Sequence, residues 1–396
     1  MSVRGLAGGT VIPVFVGAGL PALLGWAAAL FALPAVAQNA ILPFSTPLDA
    51  GNGKPAAALS LQAFAGNDPV SLQQFAGDWQ GDYHPRSGRN LGILSARMEL
   101  GAHWEGWSVG RVARRDILVD FSRDTTDLYH LYKTRQAAPA GETFALDARY
   151  LAYGAEGWRL AKAWTWQGAA GESWSLGLGY ATYGNTAMRV GSANGNIQSL
   201  GGGDYRYALN YSDAYTSNVY PFIKPGQPSG HGQSWELGGR WCSAGGTRIT
   251  LLGNDLFGRM HWREIPTTVA RADTSTASTG ADGYIAYQPA LSGRNRREDW
   301  SLGLSPRWLI EAEVPVNNVR LLTSVSALEG NVFPLAGARW RLAGNWQIQA
   351  DYDFRFETVG VRLQHPLGFL ALRTDSAHLS QAKAYGLSAV VNIPFP

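Results

Sequence analysis

From about residue 76 to its end the chain alternates apolar and polar side chains with a period of two, and no other feature restricts its fold as strongly. In "ESWSLGLGYATYG", Trp174, Leu176, Leu178 and Tyr180 stand against Ser175, Gly177, Gly179 and Ala181. "NWQIQADYDFRFE" sets Trp346, Ile348, Ala350, Tyr352, Phe354 and Phe356 against Gln347, Gln349, Asp351, Asp353, Arg355 and Glu357. A β-strand sends successive side chains to opposite faces, so each stretch reads as a strand between two different environments. The apolar face is dominated by Trp, Tyr and Leu, and the other mixes Gly, Ser, Ala and Arg with carboxylates. A water-soluble sandwich would expose Lys, Thr and Glu instead. Strands of about ten residues with these two faces suit a transmembrane barrel, lipid outside and polar groups inside.

Composition points the same way. The 396 residues include 48 Gly, 15 Trp, 16 Tyr and 14 Phe, and only 16% are charged, a texture that favours strands and tight turns over helices. After residue 40 no apolar run approaches the ~20 residues a membrane helix needs, a scan that barrel strands escape. A net charge of +3, without a basic run interleaved with aromatics, argues against nucleic acid. The single cysteine, Cys242, excludes an internal disulfide and a Cys-based metal cluster. The seven histidines show no metal-ligand spacing, so no metal and no cofactor is expected.

The N-terminus has one charge, Arg4, before Asp49, an apolar stretch from Val11 to Leu33, and the small-x-small site Ala35-Val36-Ala37. This is the form of a signal peptide over residues 1–37, cleaved near Ala37 to leave Gln38 first; the stretch is also long enough to anchor in a bilayer. Residues 38–75, rich in Ala, Gly, Pro and Ser, read as a periplasmic leader with a short helix around Ala56 to Phe64. The barrel is then residues 76–396.

Trp104, Trp107, Trp158, Trp174, Trp235, Trp300 and Trp346 each lie within a few residues of a turn signal, which places them at headgroup depth. "HWEGW", "AYGAEGW" and "RLAGNW" read as hairpin turns, and longer polar connections fall near 122–142, 184–203, 212–232 and 266–298. At about 20 residues per strand and connection the fold class is all-β, an antiparallel up-and-down barrel of about 16 strands, within 14–18. Pro306, inside an expected strand, predicts a bulge.

The chain closes on "KAYGLSAVVNIPFP", in which Tyr385, Leu387, Ala389, Val391, Ile393 and Phe395 form one apolar face. With the cleavable N-terminus and the alternating strands, this resembles the porin-like Gram-negative outer-membrane β-barrel proteins as a class. In that class the terminal strand is the insertion signal read by the barrel-assembly machinery. The resemblance implies residence in outer-membrane lipid after signal cleavage, and a last strand that pairs with the first. Pro396 departs from the pattern, because the class ends on the aromatic itself.

Assigning faces by parity gives a candidate inner wall: Glu99, His103, Asp147, Arg149, Arg206, Glu236, Arg240, His261, Arg263, Arg307, Glu311, Arg320, Arg341, Asp351, Asp353, Arg355 and Arg362. Arginine facing lipid at the midplane costs ~2–4 kcal/mol, so an enclosed lumen is the natural place for such charges. They either line a hydrated pore or pair off into a salt-bridged filling. The first expectation is a channel passing polar or anionic small solutes through an Arg-rich lumen. A conduit for an exported polymer such as an exopolysaccharide would use the same wall, and a membrane-embedded lipid-modifying enzyme is a third class. "GWSVG" matches G-x-S-x-G at Ser108 but lacks the strand-to-helix turn that a nucleophile elbow requires, so no catalytic residue is assigned.

Overall fold

The computed structural model describes residues 46–49, 55–218, 227–274, 277–279, 285–287, 290–378 and 380–395. The expected signal peptide and its cleavage site lie outside these, as do residues 38–45, 50–54 and Pro396. In chain order the elements begin with β1 (Ala56–Asn67), α1 (Leu72–Ala76), β2 (Asn90–Trp104), β3 (Trp107–Phe121), α2 (Arg123–Thr134), β4 (Thr143–Gln167), β5 (Ser173–Gly201) and β6 (Asp204–Tyr215). They continue with β7 (Ser229–Cys242), β8 (Arg248–Asp273), the short pair β9 (Ala277–Thr279) and β10 (Ile285–Tyr287), β11 (Leu291–Gly303) and β12 (Arg307–Val316). The last six are β13 (Val319–Leu328), β14 (Asn331–Arg341), β15 (Gln347–Asp353), β16 (Thr358–His365), β17 (Gly368–Thr374) and β18 (Ala384–Pro394).

Fourteen of these close a circuit in the order β1-β2-β3-β4-β5-β7-β8-β12-β13-β14-β15-β16-β17-β18, every neighbour antiparallel. β18 returns to β1 in register from Ala56↔Pro394 to Gly66↔Ala384. Closure gives every wall strand two partners, which a lipid environment demands because it offers no water to an unpaired N–H or C=O.

The first strand is not where the sequence placed it. Ala56–Asn67, expected to be leader with a helix, is β1, and the barrel begins about twenty residues early. Its outer face is only Leu59, Leu61 and three alanines, too small a contrast with Ser60, Gln62 and Phe64 to announce a strand. Two turn assignments fail as well. "AYGAEGW" (152–158) is a bulge within the 25-residue β4, and 184–203 continues the 29-residue β5. Fusing those pieces brings the wall to fourteen strands, at the lower bound of the expected 14–18. "HWEGW" is a two-residue hairpin with φ of 45° at Glu105 and 80° at Gly106, and "RLAGNW" joins β14 to β15.

Outward side chains form a lipid-facing belt. A lower row holds Trp104, Trp107, Trp166, Trp174, Trp340 and Trp346, and an upper row holds Trp158, Trp235, Trp308, Tyr352 and Phe354; all of these are exposed. Exposed Leu160, Leu176, Leu178, Leu251, Ile310 and Leu321 lie between them. Two aromatic rows flanking an aliphatic band are the signature of a barrel spanning a bilayer. Connections at the lower end are short. The upper end carries α1, α2 and the longer connections, which makes it the extracellular side.

On one side the wall continues above this belt. β5 exchanges β7 for β6 as its partner, β6 pairs with upper β8, and β8 with β11. β11 and β12 lie along the same side of β8, separated by residues 304–306. Pro306, which cannot donate to the ladder, sits in that break, where a bulge was expected.

Outside the membrane, α2 is capped by Ser122, whose hydroxyl accepts the Thr125 N–H, and ends on Arg135 at φ 59°. It brings His130 flat against Tyr83, with ring centroids 3.9 Å apart, over the fully buried Trp79. Burial holds the His130 imidazole below its ordinary pKa despite the Asp127 carboxylate, so the stack favours the neutral ring. Its stabilisation is present above the ordinary histidine value of ~6.5 and is lost as pH falls through the depressed folded value. Amide exchange across 123–134, corrected for intrinsic rates, is therefore expected to be faster at pH 5 than at pH 7.5. His130→Phe should flatten that difference.

Candidate functional site: a charged, filled lumen

The inward faces carry small residues punctuated by arginines and carboxylates, and these meet across the barrel in layers. In the lower layer Arg159 Nη2 lies 2.7 Å from Glu236 and its Nη1 3.2 Å from Glu99. Arg97 completes the set at 3.2 Å from Glu236 and 3.4 Å from Glu99. β2, β4 and β7 are thus tied across the interior, with two guanidiniums against two carboxylates.

In the layer above, Arg114 contacts Asp255 at 2.6 Å and Asp116 at 2.8 Å, while Arg307 contacts Asp116 at 2.6 Å and Asp255 at 3.3 Å. Ser95 donates to Asp116 and accepts from Arg307, and the Tyr153 hydroxyl accepts from Arg114. Gln62, Ser95, Arg97, Arg114, Asp116, Asn254, Asp255 and Arg307 line a cavity of about 10 Å³, room for about one water. Buried ions are tolerated only when paired and hydrogen-bonded, and both layers meet that condition by exact charge balance.

A third group runs along the opposite wall. Glu313 receives Arg339 at 3.0 Å, Arg248 at 3.5 Å and Arg320 at 3.7 Å, and Arg320 also donates to the Gly246 carbonyl. Arg373 pairs with Asp351 and donates to Thr358. Beside these layers and continuing above them, Val112, Tyr153, Ala155, Tyr183, Met188, Met260, Trp262, Ile265 and Leu304 form an apolar cluster on the inner surface.

The periplasmic end holds a piece of the leader. Thr46–Asp49 make a turn in which the Asp49 carboxylate accepts the Thr46 N–H and the Thr46 carbonyl accepts the Asp49 N–H. Leu48 is buried against Leu252 and Leu309, both inward-facing. Two inward glycines make the seat. A Cβ on Gly177 would fall 2.7 Å from the Pro47 carbonyl carbon, and one on Gly238 would fall 2.7 Å from Leu48 Cγ. Neither position has room for any other residue while the leader is docked.

The charged residues singled out from sequence are distributed over several parts of the barrel. Glu99, Glu236 and Arg307 belong to the two cross-barrel layers, and Arg320 and Asp351 to the third group. His103, Arg240, Glu311 and Arg362 share the inner face; Glu311 stands between Thr250 and Ser324, and Arg362 lies 3.8 Å over the Phe369 ring. Asp147 and Arg149 sit at the extracellular rim, where Arg89 bridges Asp147 to Asp120. Asp353 caps the turn after β15, Arg355 reaches Asp68, Arg341 is exposed at the periplasmic end, and Arg206 is exposed on the extension above the barrel.

His261 and Arg263 require correction: both are on the outer face. Asp255 and Phe257 have φ of 58° and 51°, and the β7–β8 register shifts twice there. The two shifts cancel, so Met260 and Trp262 point inward and are buried as Thr250 and Leu252 are below them, and the odd positions face outward on both sides of the bulges. The apolar pair packs into the inner cluster instead of facing lipid.

Sequence reading missed Arg97, Arg114, Asp116, Arg159, Asp255, Glu313, Arg339, Arg373 and the docked Leu48. Parity could have found several. Arg97 shares a face with Glu99 in "LSARMEL", and Arg159 alternates with Trp158 and Leu160. Asp255 carries no such signal, since its strand breaks phase at that residue. Ser108 is buried on the inner wall, in a strand, away from any nucleophile elbow.

Closed antiparallel wall, aromatic rows, aliphatic belt and charged interior together define an outer-membrane β-barrel. No protein-family model matches the sequence, and no curated protein matches it either. Among solved structures it is similar to the toluene transporter TodX of Pseudomonas putida, at 9% identity and a TM-score of 0.36, covering 88% of this chain and 91% of that one. It is also similar to the translocator domain of the autotransporter NalP from Neisseria meningitidis, at 10% identity and a TM-score of 0.27, with the same coverage. A FadL homologue from Pseudomonas aeruginosa aligns over 92% of this chain and 99% of that one, at 8% identity and a TM-score of 0.19. Scores this low lend no weight to any substrate or mechanism.

Proposed function

We propose that this barrel is a gated channel for small polar or anionic solutes, and that the conformation described is its closed state. The observation that carries the reading is the leader seated on Gly177 and Gly238 beneath an arginine-rich interior. A short segment that is no part of the wall can leave its seat without disturbing a strand. The layers above it consist of side chains alone, which can exchange partners as water enters. Around Glu313 and Glu311, Arg248, Arg320 and Arg339 put three guanidiniums against two carboxylates, an excess that favours anions.

The test is conductance in planar bilayers. Chain 38–396 is expected to be silent for most of the recording, with rare openings. Gly238→Leu, or a chain beginning at residue 55, should conduct steadily and prefer anions. Silence in all three proteins, each shown to be inserted, sinks the channel. Silence with passage of a linear polysaccharide into vesicles would move the assignment to a polymer conduit.

A further inference from the structure

We propose that the outer face of β7 and β8, directly above the upper aromatic row, binds the phosphorylated glycolipid of the outer leaflet through Arg259 and Arg263. The two bulges of β8 also build this surface. Phe257, at φ 51°, is 85% exposed at the top of the lipid-facing belt, beside Trp235 and Trp308. From there the outward positions of β8 are Arg259, His261 and Arg263, paired across to Gln233, His231 and Ser229 on β7. Successive outward positions lie roughly 7 Å apart along a strand, so the column rises about 20 Å above Trp235.

Its chemistry matches that of a phosphorylated glycolipid at the same depth. The Phe257 ring faces acyl chains. Arg259 stands at the level where phosphates on the sugar headgroup begin, and Arg263 further out. The His231 and His261 rings are stacked with a 29° tilt, centroids 5.6 Å apart, between the two guanidiniums. Arg259 and Arg263 are both exposed, and neither has an ion-pair or hydrogen-bond partner among the described residues. The arginines of the two cross-barrel layers, by contrast, are matched one for one to carboxylates. Glu264 and Asp299 lie at the next bulge, where the Asp299 carboxylate accepts the Glu264 N–H. Two unmatched guanidiniums at the headgroup boundary form charge-assisted bidentate contacts with phosphate, which a lysine ammonium cannot reproduce in geometry.

The full mature chain in detergent can be titrated with bisphosphorylated lipid A, dephosphorylated lipid A and phosphatidylglycerol, with bound lipid read by native mass spectrometry. Wild type is expected to retain the bisphosphorylated glycolipid and to prefer it over the other two. The R259Q/R263Q protein should lose at least about tenfold in affinity, given ~1 kcal/mol per basic side chain at an anionic surface. R111Q/R115Q removes the same charge elsewhere on the outer wall and should bind as wild type does; R259K/R263K should recover part of the loss. All substitutions are on the outer surface, and retained folding is checked by heat-dependent gel mobility. Undiminished binding by R259Q/R263Q, an equal loss in R111Q/R115Q, or equal affinity for phosphatidylglycerol would each overturn the proposal.

Discussion

A chain lacking Tyr385–Pro396 is expected not to enter a bilayer at all. β18 pairs with β17 on one side and β1 on the other, and it supplies the outward face Tyr385, Leu387, Ala389, Val391 and Ile393. Its loss opens β1 and β17 together. Each freed edge would present a row of unpaired N–H and C=O groups to hydrocarbon, at several kcal/mol per group, so no partial barrel survives as an alternative. Loss of the heat-modifiable band on gels, with all protein accessible to protease outside vesicles, is the expected readout. Normal insertion of the truncated chain would mean that the seam closes in some other way.

The second large effect concerns the layer joining β3, β8 and β12. Asp255→Asn leaves Arg114 and Arg307 sharing the single Asp116 carboxylate in a buried site. Removing one member of a buried ion pair costs on the order of 3–5 kcal/mol. Asparagine tolerates the left-handed backbone found here at φ 58°, so the substitution isolates charge from strain. Replacing all four residues, Arg114, Asp116, Asp255 and Arg307, with apolar residues of similar volume should be far milder than D255N alone. Equilibrium urea unfolding of protein refolded into lipid vesicles measures both. A D255N protein as stable as wild type would show that the layer is hydrated and the lumen open.

Much of this was legible in the sequence, and the failures have physical causes. The class of fold followed from period-two alternation carried by Trp, Tyr and Leu, and the closing strand from its last apolar face. β1 escaped notice because an Ala-rich strand lining the seam has little contrast between its faces. β4 and β5 were each divided at glycines, Gly154 and Gly184, that flank a bulge; in a barrel a glycine in mid-strand marks a bend as readily as a turn. Interior charges were legible wherever the strand kept phase, as at Glu99 and Glu236. On β8 the two bulges cancel and parity is kept; His261 and Arg263 were misassigned because the apolar residues beside them, Met260 and Trp262, face the inner cluster and not lipid. The docked leader was invisible, since nothing in the local sequence around Leu48 refers to Gly177 and Gly238, which lie well over a hundred residues away.

The two bulges in β8 act on the wall as a pair of frameshifts that together restore the reading frame. One residue inserted or deleted between 255 and 264 would send Met260 and Trp262 toward lipid and His261 and Arg263 into the apolar cluster, while leaving the composition of the strand almost unchanged. The connection at 342–346, which joins two strands without crossing the bilayer, faces no such exchange. Length variation between homologous barrels of this kind should therefore accumulate in the turns and be purged from this strand, so that the spacing of its residues carries more information than their identity.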